Sequence, residues 1–211
     1  VWNPVALAML QKDETKASRV FGNIYGEVAF MPELKYRANF GVDIYSSSQD
    51  TFRPSTIPIS NTEGNPESVP EATAKTAKMY NWLFEQTISY NKEIHGHSLS
   101  ALVGWTMQYQ RDESTYAFAN GFITNSVPTL NAGTVTRGNS HASEWALLSG
   151  LARIQYNYKG KYMLTGAIRA DGASRFGKQN RWGWFPSVSA GWRLTEEQFM
   201  KSLTFIDDLK L

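Results

Sequence analysis

The chain has 211 residues, 42% hydrophobic and 13% aromatic, a formal net charge of +2, and no cysteine. That content excludes a disordered tail, and the scattered Lys and Arg residues exclude the basic patch needed for nucleic acid. Lack of Cys excludes disulfides, thiolate metal sites and Cys nucleophiles. No apolar run is long enough for a helical span, and VWNPVALAML at residues 1–10 carries neither the basic flank nor the cleavage site of a signal peptide. A mean hydropathy of -0.39 still permits a membrane barrel, whose strands dilute a lipid face with a polar lumen face.

Alternation of apolar and polar side chains predicts seven strands, each long enough to cross a bilayer when tilted. Arg19 to Met31 places Val20, Ile24, Val28 and Phe30 on one side and Asn23, Tyr25 and Glu27 on the other. Lys35 to Tyr45 alternates most cleanly, with Tyr36, Ala38, Phe40, Val42 and Ile44 against Lys35, Arg37, Asn39, Gly41 and Asp43. Tyr80 to Tyr90 sets Trp82, Phe84 and Ile88 against Asn81, Glu85 and Thr87, with Gln86 as a blemish on its apolar face. Ser98 to Gln110 follows with Leu99, Val103, Trp105, Met107 and Tyr109 on one face, and Glu144 to Tyr158 with Leu148, Ala152, Ile154 and Tyr156. Leu147 and Leu151 weaken the last of these. Tyr162 to Asp171 and Trp184 to Leu194 complete the set: Leu164, Ile168, Pro186, Val188 and Trp192 suit lipid, and Arg169, Asp171, Ser187 and Ser189 suit water. Strands cross a bilayer only within a closed barrel, because lipid offers their backbone no hydrogen-bond partner.

Tight connections at Met31–Leu34, Asn91–His97 and Tyr158–Lys161 alternate with long ones at Ser46–Met79, Arg111–Ser143 and Gly172–Arg181. Outer-membrane barrels place short turns on the periplasmic side and long loops outside, so the Arg19–Met31 strand runs inward. Pro54, Pro58, Pro66 and Pro70 in the first long loop, and Gly121, Pro128, Gly133 and Gly138 in the second, predict irregular structure. TEEQFMKSL predicts a short helix capped by Thr195 with Gln198 three residues on, and DDLKL begins a further strand, as expected of a piece of a longer polypeptide. Trp82, Trp105, Tyr109, Tyr156, Tyr158, Tyr162, Trp184 and Trp192 fall toward the predicted strand ends, where amphipathic rings settle at headgroup level. A soluble β-sandwich also alternates, but its strands average about 5–6 residues.

Sites for chemistry are sparse. His95-Gly96-His97 offers two ligands in a turn, more consistent with a solvated turn than a zinc site. Glu196-Glu197 and Asp207-Asp208 point different ways, Asp112-Glu113 suits a hydrated loop, and neither a phosphate loop nor a nucleophile elbow is present. No enzyme activity, metal or cofactor is expected. Phe52, Tyr116, Phe118 and Phe122 in the long loops could stack on sugars or pack the loops together.

The stretch from Tyr156 to Lys201 resembles the barrel of SusC/RagA-type TonB-dependent transporters of Bacteroidota. The tighter elements are Arg169, Asp171, Gly172, Ser174, Arg175, Phe176 and Gly177, then Trp182, Gly183, Phe185, Pro186, Ser187, Ser189, Gly191 and Trp192. Weaker likeness runs through Asn3-Pro4, Leu34–Asp43 and Asn81–Lys92; at Ala173 the family more often carries Ser. The resemblance implies an all-β fold, with residues 1–211 a seven- to eight-stranded segment of one transmembrane antiparallel barrel domain. It further implies import of oligosaccharides or peptides across the outer membrane, with a SusD-like surface lipoprotein as lid and TonB supplying energy. The plug, TonB box and N-terminal domain of such transporters are not within these residues. For the matching residues a structural role is expected: turn chemistry at Asp171, Gly172 and Ser174, pairing of Arg169 with Asp171 or a neighbouring strand, and close backbone approach at Gly166 and Gly191. A passive porin or adhesin barrel and a soluble β-rich carbohydrate-binding module are the alternatives.

Overall fold

A computed structural model describes residues 4–57, 69–201 and 206–211. A short helix α1 (Pro4–Leu10) precedes seven strands: β1 (Lys12–Met31), β2 (Leu34–Arg53), β3 (Glu71–Ile94), β4 (His97–Asn120), β5 (Thr134–Tyr158), β6 (Tyr162–Ala173) and β7 (Trp182–Trp192). They form one sheet in chain order, β1 to β7, which among the described residues is not closed between β1 and β7. Each strand pairs with the next because each is tied to it by a hairpin or a loop. His95 and Gly96 both take positive φ, 49° and 80°, the mirror-image turn whose twist matches the strands it joins. Lys159 and Gly160, at 50° and 69°, do the same between β5 and β6, and Asn157 Oδ1 accepts from the Gly160 amide at 2.9 Å.

All seven strands lie where the alternation predicted them, but β1 to β5 run several residues further, β6 carries Asp171 and Gly172 in its ladder rather than in a turn and ends at Ala173, and β7 spans Trp182–Trp192 rather than Trp184–Leu194. β1 begins at Lys12, β2 continues to Arg53, β3 begins at Glu71, β4 reaches Asn120 and β5 begins at Thr134. The predicted loops Ser46–Met79 and Arg111–Ser143 shrink to residues 54–70 and 121–133. Polar side chains fall on both faces of these extensions, so the apolar period fades although the backbone stays extended, and the apolar residues Phe52, Ala72, Phe118 and Ala119 are buried at their far ends. Pro58 and Pro66 lie outside the described residues, as do the last two residues of TEEQFMKSL. The capped helix predicted there is instead two 3-10 turns, Leu194–Glu196 and Gln198–Met200, with no side-chain cap. The Thr195 hydroxyl, in place of capping, donates to Asp208 Oδ1 at 3.2 Å. The further strand begun by DDLKL is present in outline. Trp192 and Leu211 exchange two backbone hydrogen bonds of 2.9 Å, and the Leu194 amide donates to the Leu209 carbonyl, so this segment pairs with β7 at its free edge.

Two compact units are distinguishable. The first comprises residues 1–21, 43–81 and 110–144. It holds a small apolar core of Phe52, Ala72, Ala119 and Phe122, flanked by Leu130 and Ala132. The Phe52 and Phe122 rings meet edge to face at 5.3 Å, and the Arg137 guanidinium stands 4.2 Å from the centre of Phe118. Gly133 is required here: a Cβ would come within 2.7 Å of the Phe122 ring and 2.8 Å of the Asn120 carbonyl.

The second unit comprises residues 22–42, 82–109 and 145–211. Among its described residues no apolar side chain is buried. Register keeps the two faces apart: Ile154 opposes Gly166, which opposes Val188, while Gln155 opposes Thr165, which opposes Ser189. A slip of one residue would exchange the faces on every strand, so this pattern fixes the pairing. Phe40, Val103 and Val188 are 43%, 51% and 80% exposed, the reverse of a water-soluble core.

Candidate functional site

The polar face of the second unit is a connected surface. Asn23 donates to Asn39 Oδ1 and Asn39 to Glu85 Oε2, each at 3.1 Å, linking β1, β2 and β3. Arg169 Nε donates to both Asp171 oxygens at 2.8 and 2.9 Å, and its Nη2 lies 3.4 Å from the buried Ser149 hydroxyl on β5. The expected pairing of Arg169 is therefore present both within β6 and across to β5. A recess of about 400 Å³ on this face is lined by Arg37, Asn39, Glu85, Thr87, Ser149 and Arg169. Because Arg169 and Asp171 are half-exposed, Asp171→Asn should cost under about 1 kcal/mol, measured by denaturant unfolding of the intact protein. A loss of several kcal/mol would show a pair far more desolvated than this.

The other matching residues are brought together at the β6–β7 connection. Gly172 lies beneath the ring of its register partner Trp182, where a Cβ would meet Cε2 at 2.9 Å, and Gly183 lies beneath Phe185 in the same way. Ser174 closes the turn: its hydroxyl accepts from the Ala146 amide at 2.8 Å and its own amide donates to the Ala146 carbonyl at 2.9 Å. Arg175 stands 5.0 Å over Trp145, Phe176 is exposed, and Gly177 precedes the turn Lys178–Asn180. Ser187 and Ser189 face Ala167 and Thr165, and Pro186 faces Ile168. The two glycines expected to allow close approach divide. A Cβ on Gly191 would come 3.3 Å from Lys210, but one on Gly166 would meet no described atom within 4 Å. Gly166 sits on the apolar face, between its register partners Ile154 and Val188.

On that apolar face, His97, Tyr158, Tyr162 and Trp192 form a row across the ends of four strands. His97 and Tyr158 are 4.5 Å apart, and Tyr158–Tyr162 and Tyr162–Trp192 stack at 6.4 Å. His97 Nδ1 also lies 2.6 Å from the Tyr156 hydroxyl. Rings set in this way mark the headgroup level of a membrane. The strand-end expectation holds for this row but not for Trp82, Trp105 and Tyr109, which lie well inside β3 and β4 because those strands continue beyond their apolar stretch. Trp82 and Tyr109 still stack on each other, at 6.2 Å. The Gln86 blemish has a partner, since Tyr36 donates its hydroxyl to Gln86 Oε1 at 2.5 Å.

Glu197, which the sequence offered only as half of an adjacent carboxylate pair, gathers the row. Tyr162 donates to it at 2.6 Å, the Trp192 indole at 3.2 Å, and Lys161 lies 3.4 Å away. The Tyr162 hydrogen bond first, then those from Trp192 and Lys161, hold its carboxyl below the ordinary value of 4.5. A depressed folded pKa stabilises the fold above the ordinary value, and that contribution disappears as pH falls through the depressed one. Tryptophan fluorescence of the intact protein should therefore show an acid step below about pH 4.5, which Glu197→Gln abolishes. An identical step in the variant would assign it to another carboxylate. The visible clue was only that Trp192 lies five residues before Glu197.

In the first unit the structure divides the loop aromatics. Phe52, Phe118 and Phe122 are buried and pack the loop ends, whereas Tyr116 is half-exposed on a groove lined also by Ser47, Gln49, Lys75, Ser114 and Asn139. His95-Gly96 is a hairpin turn, and Asp112 and Glu113 are occupied by Gln110 and Arg111.

Residues 16–205 match the family model described as TonB dependent receptor-like, beta-barrel. The chain belongs to that family. The barrel segment is 34% identical over 99% of its length to TonB-dependent receptor P3 of Formosa agariphila, and 28% identical over 99% to TonB-dependent receptor SusC of Bacteroides thetaiotaomicron. It spans about a fifth of either relative, 21% and 20%. Its fold matches that of the RagAB peptide transporter, with a TM-score of 0.83 over 92% of this chain and 22% of that one, at 23% identity. Family membership sets aside the soluble carbohydrate-binding module, in accord with the exposed apolar face of the TonB-dependent receptor segment.

Proposed function

We propose that residues 1–211 are part of one barrel domain of an outer-membrane importer that takes up oligosaccharides or peptides, driven by TonB and working with a SusD-like surface lipoprotein. The observation that carries this is the two-faced sheet, apolar and exposed on one side and hydrogen-bonded and polar on the other, bounded by an aromatic row. A face of that size has no stable place in water, and lipid is the solvent that accepts it. Support for cargo and partners comes from kinship with a receptor named SusC and from the likeness in fold to a peptide transporter. The barrel wall itself performs no chemistry; it excludes lipid and presents polar groups to what passes.

The test is uptake by cells carrying or lacking the full-length protein, each with and without TonB, using labelled oligosaccharides and peptides. Uptake should require both. Uptake that persists without TonB would favour a passive porin, the second reading of a barrel of this kind.

A further inference from the structure

We propose that the groove in the first unit is a cargo subsite that selects acidic oligosaccharides, with Lys75 as the selecting cation and Tyr116 as the stacking surface. The inference rests on the importer reading above and names the cargo class of that importer. The groove has room for about 600 Å³, within the range of small-ligand sites.

Its walls come from five strands, β1 to β5, mostly from one face of them, with Thr76 and Thr115 of the opposite parity at its floor. In this unit Arg19 bonds Asp43 and Asn81 bonds Gln110, which fixes the polar face. Counting in twos from those residues along each strand reaches Ser47, Gln49, Lys75, Ser114 and Tyr116. Arg137 reaches Phe118 across β4 and β5, placing Asn139 on the same side. The groove therefore opens on the polar face of these strands.

The lining determines what fits. Hydroxyls and amides at Ser47, Gln49, Ser114 and Asn139 both donate and accept, matching the hydroxyls of a sugar. Of the residues lining the groove, Tyr116 is the one aromatic and Lys75 the one charged side chain. Gln49 donates its Nε2 to Asp13 Oδ1 at 2.9 Å, which holds its side chain at the groove. Lys75 Nζ stands 5.8 Å from the centre of the Tyr116 ring and forms no ion pair among the described residues. A pyranose lying against Tyr116 would bring a carboxylate or sulfate on its rim to that ammonium.

The experiment uses the full-length transporter in detergent on an array of oligogalacturonates, alginate oligomers and sulfated galactans, with neutral malto- and xylo-oligosaccharides and acidic and neutral peptides of similar length. Acidic glycans should be retained over neutral ones, with the preference shrinking as salt rises. Lys75→Gln should weaken acidic glycans about three- to tenfold and leave neutral ones unchanged, whereas Tyr116→Ala should weaken both. Lys75→Arg should retain the preference. Lys75 is exposed, so its variants test the site without disturbing the fold. Equal retention of neutral glycans, capture of peptides alone, no retention of any probe, or indifference to Lys75→Gln would each overturn the subsite. Cellular uptake separates the two readings. TonB-driven import without acidic preference removes the subsite and keeps the importer, and Lys75-dependent binding without import does the converse.

Discussion

Val188→Arg is expected to remove about 2–4 kcal/mol of barrel stability, and Ser189→Lys, one residue along the same strand, far less. The contrast comes from position. On β7 the apolar face is bracketed by Trp184 and Trp192, whose register partners are Ala170 and Tyr162. Val188 lies halfway, four residues from each ring, or about 14 Å along the strand. With a tilt of about 40° that is roughly 10 Å of membrane depth on either side, near the midplane. Its register partner is Gly166, which has no side chain to shelter a charge, and Val188 is 80% exposed on the apolar face. A guanidinium there must be dragged from water, whereas an ammonium at Ser189 enters a row with Gln155 and Thr165 that is already polar. Reversible unfolding of the full-length protein in lipid vesicles would measure both. Similar penalties would mean that the two faces have been assigned wrongly.

The strand cores were legible in the sequence because lipid and lumen impose opposite chemistry on alternate residues. Phe40 beside Asn39, or Val188 beside Ser189, is an unambiguous pair. Farther along the strands polar side chains fall on both faces, and the signal disappears while the hydrogen-bonded ladder continues. KTAKM on β3 and DESTYAFAN on β4 are therefore strands that read as loops, and Trp82 and Tyr109, which mark the edge of the apolar stretch, read as strand ends. The candidate groove was hidden for the same reason. Lys75, Gln49 and Asn139 are scattered through apparent loops until the extended backbone puts them on one face. Thr195 failed as a cap because the choice between helix and turn was settled by a segment farther along, Leu209 to Leu211, pairing with β7. Glu197 was illegible because a carboxylate becomes a junction only when Tyr162 and Trp192 are brought beside each other by register.

Phe122→Ala is expected to destabilise the first unit by about 3 kcal/mol and to loosen it locally rather than unfold the whole sheet. The core there is small, with Phe52, Ala72, Ala119 and Phe122 supplying its buried apolar side chains, so no reservoir of packing compensates for a lost ring. Phe122 makes the edge-to-face contact with Phe52, and Gly133 has no Cβ because the Phe122 ring occupies that space. Truncation leaves a cavity next to a backbone that glycine has already made easy to move. Hydrogen exchange on the intact protein should accelerate in residues 50–57 and 121–133 and stay unchanged in β6 and β7, as expected of a unit that opens on its own. If the groove in this unit binds cargo, the same substitution should weaken binding without touching Lys75 or Tyr116, because Tyr116 lies on β4 two residues from Phe118, whose ring is packed in this unit. Unchanged exchange in both segments would show that the loop ends are held by their hydrogen bonds, such as Ser55 to Asn125, and that the buried rings contribute little.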